Sequence, residues 1–258
     1  MGDYYYLGAS LPPLEFPVLP SHLSCLSLKG DLQANLSSKD YKKVQSLCLL
    51  IDLLNIKTIF EEEEIDNRGN LVEEELDEAL LTGTFFPDYV FDFLQKHESL
   101  AERLRNFPFL LAEFFREEEK KEEGFLQKYF SFERELRLVL LAIRSKIAKR
   151  DLVKELQFED GTDSFVLQIL AQKDSEQYEP PMEYKEVKDL VMGSQGDPWE
   201  QNKAITAYRF QKVQEMVEAK AFSIDTLLSY LVQLMLIEYW HELSREKGQI
   251  ILGTFKKR

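Results

Sequence analysis

Asp52 and Asn55 interrupt the largely apolar run Leu47-Cys-Leu-Leu-Ile-Asp-Leu-Leu-Asn-Ile-Lys-Thr-Ile-Phe60. Residues three apart share a helix face, so the two side chains can bond each other or a neighbouring helix. A carboxylate and a carboxamide in a core-facing stretch are costly unless each finds a partner. The chemistry expected of them, with Lys57 two residues on, is a hydrogen-bonded lock. The same reasoning marks Glu133 and Arg137, an i,i+4 pair on a second helix, and Arg144, one heptad beyond Arg137. It also marks Glu238, which projects onto the apolar stripe Ile224 to Met235. A carboxylate there sits at the exposed end of its helix or pairs with an internal arginine, for which Arg137 and Arg144 are the natural choices. All seven residues are read as structural locks between helices, not as acid/base machinery.

Catalytic and ligand-binding patterns are sparse. His22, His97 and His241 are scattered and lack ligand spacing, so each reads as a surface or capping residue. There is no G-x-G-x-x-G, no Walker-type phosphate loop and no G-x-S-x-G. Asp66, Arg68 and Asn70 alternate as calcium-loop ligands do. However, the third position is Arg, Leu71 stands where Gly is needed, and Asp77 ends the loop instead of Glu. A polar turn leading into a helix is the simpler reading. The clusters Glu61–Glu64 and Glu73–Glu75 are poor chelators, because adjacent helical acids point in different directions. No catalytic residue, cofactor or metal site is expected, and the chain is not read as an enzyme.

The elements that hold these residues are helical. The 258 residues are 44% hydrophobic and 30% charged, the balance of an ordinary globular chain. Such a length buries roughly 73% of its unfolded surface without staples. Cys25 and Cys48 form no disulfide framework; Cys48 reads as a small core residue, and a reducing cytoplasm fits. A net charge of −14 argues against nucleic acid and against adsorption to anionic lipid. Residues 61–78 hold ten acids against one Arg, whereas residues 134–154 hold seven Lys/Arg against two acids. These opposite poles read first as solvated helix faces, although they suit two differently charged partners. No signal peptide is expected. Met1-Gly2 resembles a myristoylation start, but Tyr6 occupies the Ser/Thr position. The run Leu227 to Trp240 is too short to span a membrane and contains Gln233 and Glu238.

Residues 1–36 are expected to be extended, because Pro12, Pro13, Pro17 and Pro20 follow one another closely. The rings of Tyr4–Tyr6 are expected to pin this segment down, or to form a short edge strand. Ser37 and Asp40 stand at capping-box spacing, and Val44, Leu47, Leu50, Ile51 and Leu54 continue at helical spacing. A turn at 66–70, a helix from Glu73 ended by Gly83, and a helix opened by Pro87 follow. Ser99 and Glu102 form a second capping box, Pro108 is expected to break that helix, and Phe109 to Glu123 resumes it. Gly124 is a weak break. Phe125 to Arg150 is the strongest helix, and its two apolar sides predict a central position. Candidate linkers cover 174–182 and 193–198. Long helices near 198–220 and 223–246 follow, with Gly248 as a stop and a basic tail at 256–258. The helices near 38–60, 125–149 and 223–246 each carry an interrupting acid or amide, a faint sign of a repeated unit. The fold class predicted is all-α, a multi-lobed helical bundle forming one unit over 1–258.

Several segments resemble a known family, the C/d adaptors of V-type ATPases and ATP synthases, named C in prokaryotic enzymes and d in eukaryotic ones. Asp52-Leu-Leu-Asn-Ile-Lys57-Thr-Ile59 resembles the recurring D-x-x-N-L-K-x-hydrophobic helix of that family. Phe132-Glu133-Arg-Glu-Leu136-Arg137 with Ala142-Ile-Arg144 resembles its second such helix, and Leu227 to Glu238 its third. The opening Tyr4-Tyr-Tyr-Leu-Gly-Ala-Ser-Leu-Pro12 is similar to the usual start of a shorter, divergent bacterial branch. This chain is shorter than typical members of the C/d family, and its motifs are spaced differently. The resemblance implies three similar helical lobes arranged as a funnel, with no active site. It implies a rotor adaptor between the central-shaft subunits and the membrane rotor ring, passing on torque for proton or other ion transport and ATP synthesis. The implied place is cytoplasmic, peripheral to the inner membrane through the complex. The alternatives are a helical scaffold unconnected to a motor and, less favoured, an all-α enzyme using a carboxylate such as Glu238.

Overall fold

The computed structural model describes residues 4–194, 196–217 and 222–243. The expected stop at Gly248, the basic tail at 256–258, and the outer ends of the helices placed near 198–220 and 223–246 lie outside the described residues. The fold is all-α. Among the described residues there are twelve α-helices and no strand. The helices are α1 (Tyr5–Ser10), α2 (Cys25–Asn35), α3 (Ser38–Phe60), α4 (Glu73–Thr82), α5 (Asp88–Lys96) and α6 (Leu100–Lys121), followed by α7 (Phe125–Ile147), α8 (Leu152–Glu155), α9 (Ser164–Leu170), α10 (Lys185–Gly193), α11 (Pro198–Glu215) and α12 (Ile224–Glu242).

The first 36 residues depart from expectation. Tyr5–Ser10 is helical, not an edge strand, and α2 occupies the last third of the segment expected to be extended. Ser24 and Ser27 explain α2: the Ser24 hydroxyl accepts from the Ser27 amide at 3.1 Å, and the Ser27 hydroxyl accepts from the Ser24 amide at 3.0 Å. This reciprocal cap satisfies two donors that would otherwise face water. Cys25, Leu28 and Leu32 then fall on one buried face, despite Gly30 in the helix interior. The tyrosines divide. Tyr4 bonds Asp40 through its hydroxyl, whereas Tyr6 is 87% exposed and packs nothing down. Among the described residues the longest stretch that matches the extended description is 11–24, with an isolated bridge between Glu15 and Val18; residues 1–3 lie outside the described residues.

Pro108 does not break its helix. α6 runs through it from Leu100 to Lys121. A proline inside a helix removes one donor and crowds the preceding turn. Here burial of Phe107, Leu110, Phe114 and Phe115 on both sides of the ring holds the two halves in line. Other boundaries match their chemistry. Gly83 ends α4 at φ 70°, and Ser99 and Glu102 close a capping box on α6. Gly124 precedes α7 at φ 68°, and a Cβ there would also lie 2.9 Å from an Asp225 carboxylate oxygen, so a side chain is excluded twice.

Buried apolar side chains gather in two clusters. One joins α2–α6 and α12 to Phe125, Leu126, Tyr129 and Phe130 at the start of α7. The other joins α8–α10 and the first part of α11 to Phe132, Leu136, Leu138, Val139, Ala142 and Ile143 of the same helix. α7 is therefore central, as its two apolar sides predict. Residues 174–181 form a loop between helices of the second cluster, closed by a 3-10 turn at Met182–Tyr184; of the second candidate linker, Gly193 ends α10 and Pro198 opens α11, with 194, 196 and 197 between them outside any helix.

Candidate functional site

The turn between α3 and α4 is gripped from three helices. Asp52, fully buried on α3, accepts from the Asn70 amide at 2.6 Å, from the Asn70 side chain at 2.6 Å and from the Leu71 amide at 3.1 Å. Asn55, one turn on, brackets a single residue of the same loop. Its Nδ2 donates to the Asp66 carbonyl at 2.9 Å, and its Oδ1 accepts from the Asp66 amide at 2.8 Å. The two α3 residues thus share a face, but they bond neither each other nor a neighbouring helix. From α2, Lys29 donates to the Arg68 carbonyl at 3.3 Å and to the Gly69 carbonyl. Burial pushes the Asp52 carboxyl up to about 6, against the pull of its three hydrogen bonds and Lys29.

Arg68 carries the grip to α12. Its guanidinium takes both carboxylate oxygens of Asp66, at 2.7 and 2.9 Å, and Glu242 at 2.7 Å, and it lies over the Tyr239 ring. Burial opposes its charge, but Asp66 and Glu242 hold it above its ordinary value. The arginine that spoils the calcium pattern is therefore the residue that ties the turn down. Among the described residues, no group of three or more His, Cys, Asp or Glu side chains is arranged to hold a metal ion.

The remaining lock residues take partners that differ from those expected. Lys57 meets Glu61 at 3.3 Å on the surface, a pair worth a few tenths of a kcal/mol at most. Glu133 pairs not with Arg137 but with Arg209 of α11, whose Nε and Nη2 both lie 2.9 Å from Glu133 Oε1. Arg137 reaches instead to Glu159, which Arg134 also approaches at 4.0 Å while bonding Asp163 at 3.1 Å. Both arginines thus fasten α7 to the loop between α8 and α9. Arg144 donates to Gln201 of α11 at 3.0 Å. Glu238 takes neither arginine: its Oε1 accepts from the Cys25 amide at 2.7 Å. That amide is the first of α2, so the carboxylate also meets the positive end of the helix dipole.

Sequence reasoning missed Lys29, Arg134, Glu159 and Arg209. Arg209 left one signal, a charge at a position flanked by the core residues Tyr208 and Phe210. Each partner lies far along the chain from the residue it holds, so spacing alone could not pair them. In every case the chemistry is the same: a polar side chain on one helix satisfies a loop or helix remote in sequence.

A family model described as "Protein of unknown function (DUF2764)" matches residues 1–257. An uncharacterized protein of Chlamydia muridarum is 30% identical over 264 residues, covering 100% of this chain and 98% of its own. Uncharacterized proteins of Chlamydia trachomatis and Chlamydia pneumoniae are 29% and 28% identical with the same coverage. No solved structure matches the chain.

Proposed function

The chain belongs to the DUF2764 family, and from its own residues we propose that it is a non-catalytic rotor-adaptor subunit of a bacterial V-type ATPase. In that role it joins the central-shaft subunits to the membrane rotor ring and passes torque between them. One observation carries the reading. Five polar residues inside the three resembling motifs bind segments outside their own helix: Asp52 and Asn55 the 66–71 turn, Glu133 Arg209 of α11, Arg137 the loop between α8 and α9, Glu238 the start of α2. A body that transmits force needs its helices fixed against shear, and hydrogen bonds in and beside the core supply that rigidity. Among the described residues no helix is long and apolar enough to cross a membrane, so attachment to the ring would be through protein surface. The alternative of an enzyme built on Glu238 has less support, since that carboxylate is engaged by a main-chain amide.

The test is a pull-down from membranes with the tagged full-length chain, probed for shaft subunits and for detergent-solubilised rotor ring. The adaptor role predicts both. Recovery of other proteins with neither of these would favour a helical scaffold unconnected to a motor.

A further inference from the structure

A cleft of about 750 Å³ opens between the first half of α3, the loop before α5, and the end of α6. Its α3 wall is a single helical stripe: Lys39, Lys42, Lys43, Ser46 and Leu49. Lys121 faces them from α6, with Glu122 and Glu123 beside it. Lys121 already meets the buried Glu118 at 3.3 Å, so three lysines of α3 against Glu122 and Glu123 make this hollow basic in a chain of net charge −14. Lys39, Lys42 and Lys43 make no ion pair among the described residues. Asp40, on the same helix, hydrogen-bonds Tyr4 and Ser37 and feels Lys39 and Lys43 only through their field.

The rim carries a second anomaly. Phe85 holds φ at 71°, a conformation costly for an aromatic residue, and is 45% exposed beside the lysines, its ring edge-on to Phe86 at 5.3 Å. Its neighbour Phe86 is buried. An exposed ring next to unpaired cations offers an apolar anchor within a field that attracts acid.

We propose that this cleft docks an acidic segment of another polypeptide, one that sets carboxylates against Lys39, Lys42 and Lys43 and an apolar side chain against Phe85 and Leu49. Charge complementarity selects the occupant. The hollow is larger than a simple anion fills, and a nucleic acid would meet repulsion from the rest of the surface. The inference goes beyond the motor reading and does not depend on it.

The test uses the full-length protein and a fluorescein-labelled peptide of alternating Glu and Leu, read by anisotropy. Three comparisons accompany it: a Lys-for-Glu peptide, a single-stranded oligonucleotide, and a salt series. The wild type binds the acidic peptide, binds the basic one at least about tenfold more weakly, and loses affinity as salt rises. Lys39→Glu/Lys42→Glu/Lys43→Glu and, separately, Phe85→Ala each raise Kd about tenfold, with melting temperature and circular dichroism unchanged. The milder triple Lys→Gln variant falls between. Undetectable peptide binding by the wild type, equal binding by the charge-reversed variant, or preference for the oligonucleotide would each overturn the assignment.

Discussion

Asn55 and Asp66 are joined as two strands of a sheet are joined. The Asn55 carboxamide accepts from the Asp66 amide at 2.8 Å and donates to its carbonyl at 2.9 Å, so one side chain replaces a neighbouring peptide. Gln172 does the same for Glu179, at 2.8 and 2.9 Å. Asn55→Leu keeps the volume roughly constant but strands both groups. The expected loss is about 1–3 kcal/mol, or about 2–4 °C in Tm per kcal/mol at this chain length. An unchanged Tm, measured by calorimetry, would refute the lock.

Gly69 is required for space. An ideal Cβ there would lie 2.4 Å from Asp52 Oδ1 and 3.2 Å from Asn55 Nδ2. Both atoms are fixed by their own hydrogen bonds and cannot swing away. Gly69→Ala is expected to cost about 1–3 kcal/mol as overpacking. Gly30→Ala, where an added Cβ meets nothing within 4 Å, is the control and should hold or raise stability by about 1 kcal/mol.

Asp52 gives a pH dependence of definite sign. Its folded carboxyl is pushed up to about 6 by burial, above the value of about 3.9 in an unfolded chain. The native state therefore binds the proton more tightly, and this group's contribution is fully present below about pH 4 and fades as pH rises through 6. Relative to Asp52→Asn, the wild type should gain stability between pH 7 and pH 4, by at most about 3 kcal/mol. Denaturant titrations across that window measure it, and carbon NMR of the Asp52 carboxyl should show its midpoint near 6. A parallel pH response of the two proteins would contradict the assignment.

Glu133 and Arg209 should couple, and Glu133 and Arg137 should not. The first pair meets at 2.9 Å across α7 and α11; Arg137 is taken up by Glu159. The pair is only partly buried, with a quarter of the Arg209 side chain exposed, so removing one partner costs about 1–3 kcal/mol. A double-mutant cycle on Glu133→Ala and Arg209→Ala should return a coupling of about 1–3 kcal/mol, while the cycle with Arg137→Ala should be additive to within about 0.5 kcal/mol. Urea denaturation of the six proteins decides between the two pairings.

What the sequence made legible was local. Ser99 and Glu102 announce a helix start because both capping partners lie within one turn. Asp52 and Asn55 stand out because polar atoms in an apolar stripe must have partners, even when the partners are unnamed. The failures are of two kinds. Proline density at 12–20 outweighed the quieter Ser24/Ser27 cap, and Pro108 looked decisive because its buried neighbours act only after folding. Glu133 had a plausible partner four residues away, and the real one lies 76 residues on. Local spacing favours the near cation, whereas packing of α7 against α11 chooses the far one. Glu238 was left between the exposed end of its helix and an internal arginine, whereas a main-chain amide 213 residues away holds it.

Phe125–Ile147 is a party wall. Its opening aromatic residues furnish one compartment and its later leucines and valine the other, so neither room has four walls without it. A gene cut inside this helix would yield two fragments with raw apolar edges, and both would aggregate. Heating the intact chain should collapse the compartments together, in a single endotherm, with the amides of this helix the last to exchange their hydrogens.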